Sequence, residues 1–107
     1  MAQKTLISSP GLRTDIAKTS GQVSVLITTT TVCQANKSRC EITIVNTDAT
    51  NPVYLALNTT DGTTVPTATA SNGIKLAAGA SWTTDAYLGP IAAIAVGGTV
   101  VCTLAEI

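Results

Sequence analysis

The sequence predicts an all-β protein: a small β-sandwich or jelly-roll-like domain of about seven or eight short antiparallel strands. Three observations lead there. The chain is rich in Thr, whose β-branched side chain is stiff at χ1 and fits a pleated, half-exposed surface better than a helix. Apolar residues alternate with polar ones over short runs separated by turn residues at fairly even intervals. No apolar pattern of helical period reaches three turns, and a single open sheet of so many strands would leave its apolar face uncovered.

The elements follow in chain order. Residues 1–20 contain one candidate strand, Lys4 to Ser8, and then a polar stretch; they read as an N-terminal arm or first strand, with residues 21–107 forming the sandwich. Gln22 to Thr28 (QVSVLIT) places Val23, Val25 and Ile27 on one face, and Cys40 to Asn46 (CEITIVN) places Ile42 and Ile44 on one face against Glu41, Thr43 and Val45. Pro52 to Asn58 opens on a proline, which a strand tolerates there, and sets Val53, Leu55 and Leu57 opposite Tyr54 and Ala56. Ile74 to Ala77 and Ser81 to Asp85 are joined by AAGA, and Ile91 to Val96 and Thr99 to Leu104 are joined by Gly97-Gly98, a strong hairpin signal. The polar stretch between Asn58 and Gly73, with Asp61-Gly62 and Pro66, reads as an exposed loop.

Composition bounds the function. The 107 residues suit one domain with one core. Six basic and six acidic residues cancel, so the chain lacks the positive field that nucleic acid or an anionic membrane would need. Charged residues are only 11%, against a typical value of about 25%. A surface so poor in charge is either kept soluble by hydroxyls or covered by partners, and cover is the reading we favour. The N-terminus has no apolar run of signal-peptide length. Residues 86–105 form an uncharged stretch long enough to span a bilayer, but Gly89-Pro90 and Gly97-Gly98 break it into pieces, which argues for two buried strands.

Catalytic chemistry is hard to assemble from this chain. Histidine is absent, which removes the commonest general base and neutral metal ligand. The carboxylates Asp15, Glu41, Asp48, Asp61, Asp85 and Glu106 are dispersed; Asp48, Asp61 and Asp85 fall near loops where calcium could bind, but turn roles are the default. No catalytic residue, cofactor or metal is therefore expected. Cys33 and Cys40 bracket QANKSR, and a tight turn at Asn36-Lys37 would set them across a hairpin at disulfide distance, a link contributing about 2.5 kcal/mol. Two free thiols are an equal expectation for a chain without an export signal. Cys102 reads as a small core residue. Lys37 and Arg39, followed by Glu41, read as a solvated turn, and Asn36-Lys37-Ser38 and Asn58-Thr59-Thr60 match a glycosylation pattern but read as ordinary turns.

The aromatic residues are few: one Trp, two Tyr and no Phe. Where facing strands present Ala and Val the sheets lie close, and Trp82 suits a plug of that thin core while Tyr87 suits a corner cap with its hydroxyl on backbone or water. The same rings, with Tyr54, would serve as partner or ligand contacts if exposed. Lys4, Leu6 and Arg13 of the N-terminal arm are the other candidate partner contacts.

Residues 40–107 include CEITIVNTDATNPVYLAL, the turn GIKLAAGASW and the segment YLGPIAAI. This pattern resembles small virion accessory proteins of tailed bacteriophages and cyanophages, the β-sandwich cement or decoration proteins and head fibres. The resemblance implies a non-enzymatic structural role on the virion, with the major capsid protein and copies of the chain itself, as a trimer or dimer, for partners. Its alternative is a tail- or head-fibre module that binds a host receptor or glycan. The matching positions are turn glycines and core apolar residues, so the resemblance implies no catalytic position.

Overall fold

The computed structural model describes residues 19–107. Their eight strands are β1 (Thr19–Val25), β2 (Thr30–Cys33), β3 (Ile42–Asn46), β4 (Val53–Leu57), β5 (Ile74–Leu76), β6 (Ser81–Thr84), β7 (Ile91–Ala95) and β8 (Val100–Glu106). They form two four-stranded sheets, ordered β1-β8-β3-β6 and β2-β7-β4-β5, and every pairing is antiparallel. The first described strand opens slightly ahead of the expected boundary at residue 21. The expected strand at Lys4 to Ser8, and with it Lys4, Leu6 and Arg13, lies outside the described residues.

The topology is that of a jelly roll. β1 pairs with β8, β2 with β7, β3 with β6 and β4 with β5, so the chain behaves as one long nested hairpin wrapped around a core. The β3·β8 and β4·β7 pairings then close the wrapped ribbon into two sheets. Almost every connection therefore crosses from one sheet to the other. Gly97-Gly98, expected to turn a hairpin, instead leads from β7 in one sheet to β8 in the other. Gly97 sits at φ 97°, which a side chain rarely adopts, and a Cβ there would meet Asn51 Oδ1 at 2.8 Å. The AAGA connection between β5 and β6 is likewise a crossover.

The core lies between the sheets. One sheet contributes Val25, Ile42, Ile44, Val100, Cys102 and Leu104, and the other contributes Val32, Val53, Leu55, Leu76, Ile91, Ala93 and Ala95. The alternation read in β3 and β4 holds: Ile42, Ile44, Val53 and Leu55 are buried, while Thr43, Val45 and Tyr54 are not. Ile27 does not join them. β1 ends at Val25, and Leu26 and Ile27 turn out into solvent at 47% and 62% exposure, because the chain must leave the first sheet to begin β2. A register shift between Thr31 and Cys33 sets both Val32 and Cys33 against the core opposite Ile91. The uncharged stretch 86–105 forms β7 and most of β8, and no helix among the described residues is long and apolar enough to cross a membrane.

Candidate functional site

The outer face of the β1-β8-β3-β6 sheet is a regular four-stranded surface. Residues that alternate with the core positions point outward: Ser20, Gln22 and Ser24 on β1, Val101, Thr103 and Ala105 on β8, Thr43 and Val45 on β3, Ser81 and Thr83 on β6. The register aligns them in rows across the sheet. Gln22 stands opposite Thr103, which stands opposite Val45, itself opposite Ser81. The next row is Ser20, Ala105, Thr43 and Thr83, with the Thr43 and Thr83 hydroxyls 3.0 Å apart. Not one of these ten side chains is charged. Such a face gives up little solvation when covered, since hydroxyls and small apolar groups lack the large desolvation penalty of ions.

The outer face of the second sheet differs. Tyr54 lies there, half-buried, with Lys75 on one side and Ile94 on the other. Ala92, outward-facing on the neighbouring strand, is fully buried. The long β4–β5 loop turns back toward the β1–β2 turn, where the buried Ala68 donates its amide to Thr29 Oγ1 at 2.9 Å.

One end of the sandwich is organised by a buried ion pair. Arg39 was expected on a solvated turn; it is 5% exposed, and its Nε donates to Glu106 Oε2 at 2.6 Å. Nη1 donates to the carbonyls of Tyr87 and Gly89 at 3.0 and 3.1 Å, and Nη2 to Gln34 O at 2.9 Å and Cys33 Sγ at 3.4 Å. All five guanidinium donors are used. The physical cause is that the β2–β3 and β6–β7 segments are both sheet-to-sheet crossovers, so the carbonyls of Gln34 in the first and of Tyr87 and Gly89 in the second lie outside the ladders and converge on one donor fork. Asn46 plays the matching part at the other end. Fully buried, it donates to the carbonyls of Asn51 and Leu76 and accepts the Asp48 amide at 2.9 Å.

Signals for both were present in the register. Asn46 continues the inward positions of Ile42 and Ile44, and Glu106 continues those of Cys102 and Leu104, so each marks a polar group on the core side that needs a partner. No spacing rule could identify Arg39 as that partner for Glu106.

The predicted aromatic residues do not converge. Trp82 pairs with Ile44 on the inner face and packs against the core from the edge strand β6, half-buried, closing the side of the sandwich. Tyr87 packs against the core as well; its hydroxyl accepts the Asn58 amide at 2.8 Å and donates to Pro90 O at 2.5 Å, the corner cap expected of it. Tyr54 is left as the aromatic on an outer face.

Cys33, Cys40 and Cys102 are free thiols. The hairpin that would bring Cys33 to Cys40 does not form, because β2 and β3 belong to different sheets. Burial raises the Cys33 thiol's pKa against the opposing pull of Arg39, and burial raises that of Cys102 too. Two of the three loop carboxylates, Asp48 and Asp61, take turn roles. Asp61 accepts the amides of Thr64 and Thr63, which hold its carboxyl well below the usual range, and Asp48 is lowered by the amides of Asn51 and Thr50. Among the described residues no three His, Cys, Asp or Glu side chains gather as metal ligands.

Fold and surface together define an eight-stranded jelly roll in which ten outward strand residues of one sheet, among the described residues, carry no charge. The chain matches no known family model, no curated protein and no solved structure.

Proposed function

We propose that this protein is a non-enzymatic structural component of a phage virion, a capsid cement or decoration protein that binds the outer shell as a dimer or trimer and stabilises the head. The observation that supports this reading most is the set of ten uncharged outward strand residues on the outer face of the β1-β8-β3-β6 sheet. Its rows of Thr, Ser, Ala and Val suit close packing against a protein surface, where charged residues are depleted at interface cores. Modest contacts of this kind, repeated over a lattice, add up through multivalency. The resemblance of residues 40–107 to virion accessory proteins points the same way. Assembly in the host cytoplasm agrees with three free cysteines.

Quantitative mass spectrometry of purified particles tests this directly. A copy number comparable to that of the shell protein supports lattice-wide decoration, and absence from particles ends the virion reading. Thr103→Arg, in the middle of the face, should abolish particle binding while leaving the unfolding midpoint of the free protein nearly unchanged, since Thr103 is only half-buried.

Tyr54 favours a second reading, a fibre module that binds a host glycan. The ring is partly open on an outer face, with exposed Lys75 opposite it in the register, as a sugar-stacking platform needs. Glycan-array binding that is lost in Tyr54→Ala and kept in Thr103→Arg would replace the first reading with this one.

A further inference from the structure

Each sheet has two edges, and among the described residues they are β1 and β6 in one sheet and β2 and β5 in the other. An open edge invites another strand, and folded proteins blunt their edges by shortness, charge, proline or a bulge. Three of these four are blunted. β5 is three residues long with Lys75 at its centre, β6 is four residues long, and β2 is four residues long with its register broken between Thr31 and Cys33. β1 has none of these devices. Its seven residues, TSGQVSV, pair with β8 at every position without a bulge and include neither a charge nor a proline. Ser20, Gly21, Gln22 and Ser24 are exposed, and Val23 is half-buried.

The strand is also complementary to itself. A two-fold axis brings each side chain near its own kind, so it disfavours charges and suits groups that both donate and accept hydrogen bonds. The register that overlaps all seven residues of two antiparallel copies is centred on Gln22, which then faces the partner's Gln22, while Ser20 faces the partner's Ser24. Amides and hydroxyls can each bond to their own kind. On the inner side the same register sets the partner's Val23 opposite Gly21. A Cβ at Gly21 would meet nothing within 4 Å, and this glycine lines, with Val23, Val32 and Leu104, a groove of about 480 Å³ along the edge. The space beside the glycine is where an incoming valine fits. We propose that β1 is a dimerisation edge: two copies of the chain pair antiparallel through Thr19–Val25 about a two-fold axis at Gln22, joining their β1-β8-β3-β6 sheets into one of eight strands. A second copy is the occupant because it brings the matching amide, hydroxyls and valine in a single register. The inference supplies a contact for a dimer and does not rest on the virion reading.

Charge exchange at Gln22 tests this in the full chain. By size-exclusion chromatography with light scattering, the parent protein should have the mass of a dimer at concentrations of roughly 100 μM. Gln22→Glu and Gln22→Lys each set like charges across the axis and should weaken the dimer about ten-fold or more. An equimolar mixture of the two should regain it as a heterodimer, seen by native mass spectrometry. Gln22 is exposed, so the circular dichroism of both variants should match the parent's. A monomeric parent overturns the proposal, as do variants that dimerise with the parent's affinity or a mixture that regains nothing. Should a charged variant fail to fold, Gln22→Cys decides instead. Facing Cα atoms of an antiparallel pair lie about 4.5–5.5 Å apart, within disulfide reach, so mild oxidation should link two copies through position 22. Ser24→Cys, whose two copies this register holds about 13 Å apart, should not link through position 24. No link at position 22, or equal linking at both positions, overturns the proposal.

Discussion

Replacing Arg39 by Ala is the most informative single perturbation of this fold. The guanidinium is buried and serves five acceptors from three parts of the chain: Cys33 and Gln34 at the end of β2, Tyr87 and Gly89 before β7, and Glu106 at the end of β8. Removing it leaves the Glu106 carboxylate, 7% exposed, without its counter-charge. Breaking a buried pair in this way costs about 3–5 kcal/mol. That is a large part of the roughly 5–15 kcal/mol that holds a domain of this size together. Urea unfolding followed by Trp82 fluorescence should show the midpoint fall by about 2–3 M at unchanged slope, for a slope near 1.5 kcal/mol per M.

The companion double variant, Arg39→Met with Glu106→Leu, separates the ion pair from the carbonyl fork. An ion pair alone can be exchanged for apolar residues at little cost. Here the carbonyls of Gln34, Tyr87 and Gly89 would still lose their donor, at about 1–3 kcal/mol for each that stays buried and unsatisfied. The double variant should therefore remain clearly less stable than the parent. A loss below about 1 kcal/mol for Arg39→Ala, or full recovery in the double variant, would refute the idea that this side chain ties the crossover to the sheets.

Three further outcomes are expected. Tyr87→Phe leaves the Asn58 amide and the fully buried Pro90 carbonyl without the hydroxyl, so stability should drop by about 1–3 kcal/mol, and hydrogen exchange should quicken at Thr60 to Gly62, whose amides rest on Asn58 Oδ1. Gly73→Ala places a methyl group against the Leu55 carbonyl oxygen at φ 85°, so thermal unfolding should show a loss above the roughly 1 kcal/mol of the left-handed conformation alone. Because burial raises the folded-state pKa of Cys33 and Cys102 above the ordinary 9.0, their contribution is intact below that pH and is lost as pH rises beyond it. Denaturant titrations from pH 8 upward should show this decline, and Cys33→Ala should flatten part of it.

How legible the molecule was varies from residue to residue. Ile42 and Ile44, or Val53 and Leu55, declare their inward faces by a period of two, because a pleated strand turns alternate side chains to opposite sides whatever it pairs with. Tyr87 could be read as a corner cap because a ring with one polar tip suits a place that is half core and half backbone. Partners were not legible in the same way. Gly97-Gly98 has the residues of a hairpin turn, yet the flexibility that suits a hairpin equally suits a crossover, and the choice falls to pairings formed by strands far away in sequence. The expected Cys33–Cys40 hairpin failed for the same reason. Arg39 looked like a surface residue because its neighbours in the chain are polar, while its neighbours in space come from β8 and the loop before β7.

The sequence by itself therefore determined that this is an all-β domain, which side chains of most strands meet the core, and how little charge its surface would hold. These are local properties, set by side-chain shape, alternation and composition. Only the tertiary structure decided that β1 lies beside β8 and β2 beside β7, that Arg39 is buried on Glu106, and that uncharged outward residues from β1, β8, β3 and β6 share one face. Each of these depends on which segments, distant along the chain, lie adjacent once a nested hairpin has wrapped around its core, and adjacency of that kind has no local signature.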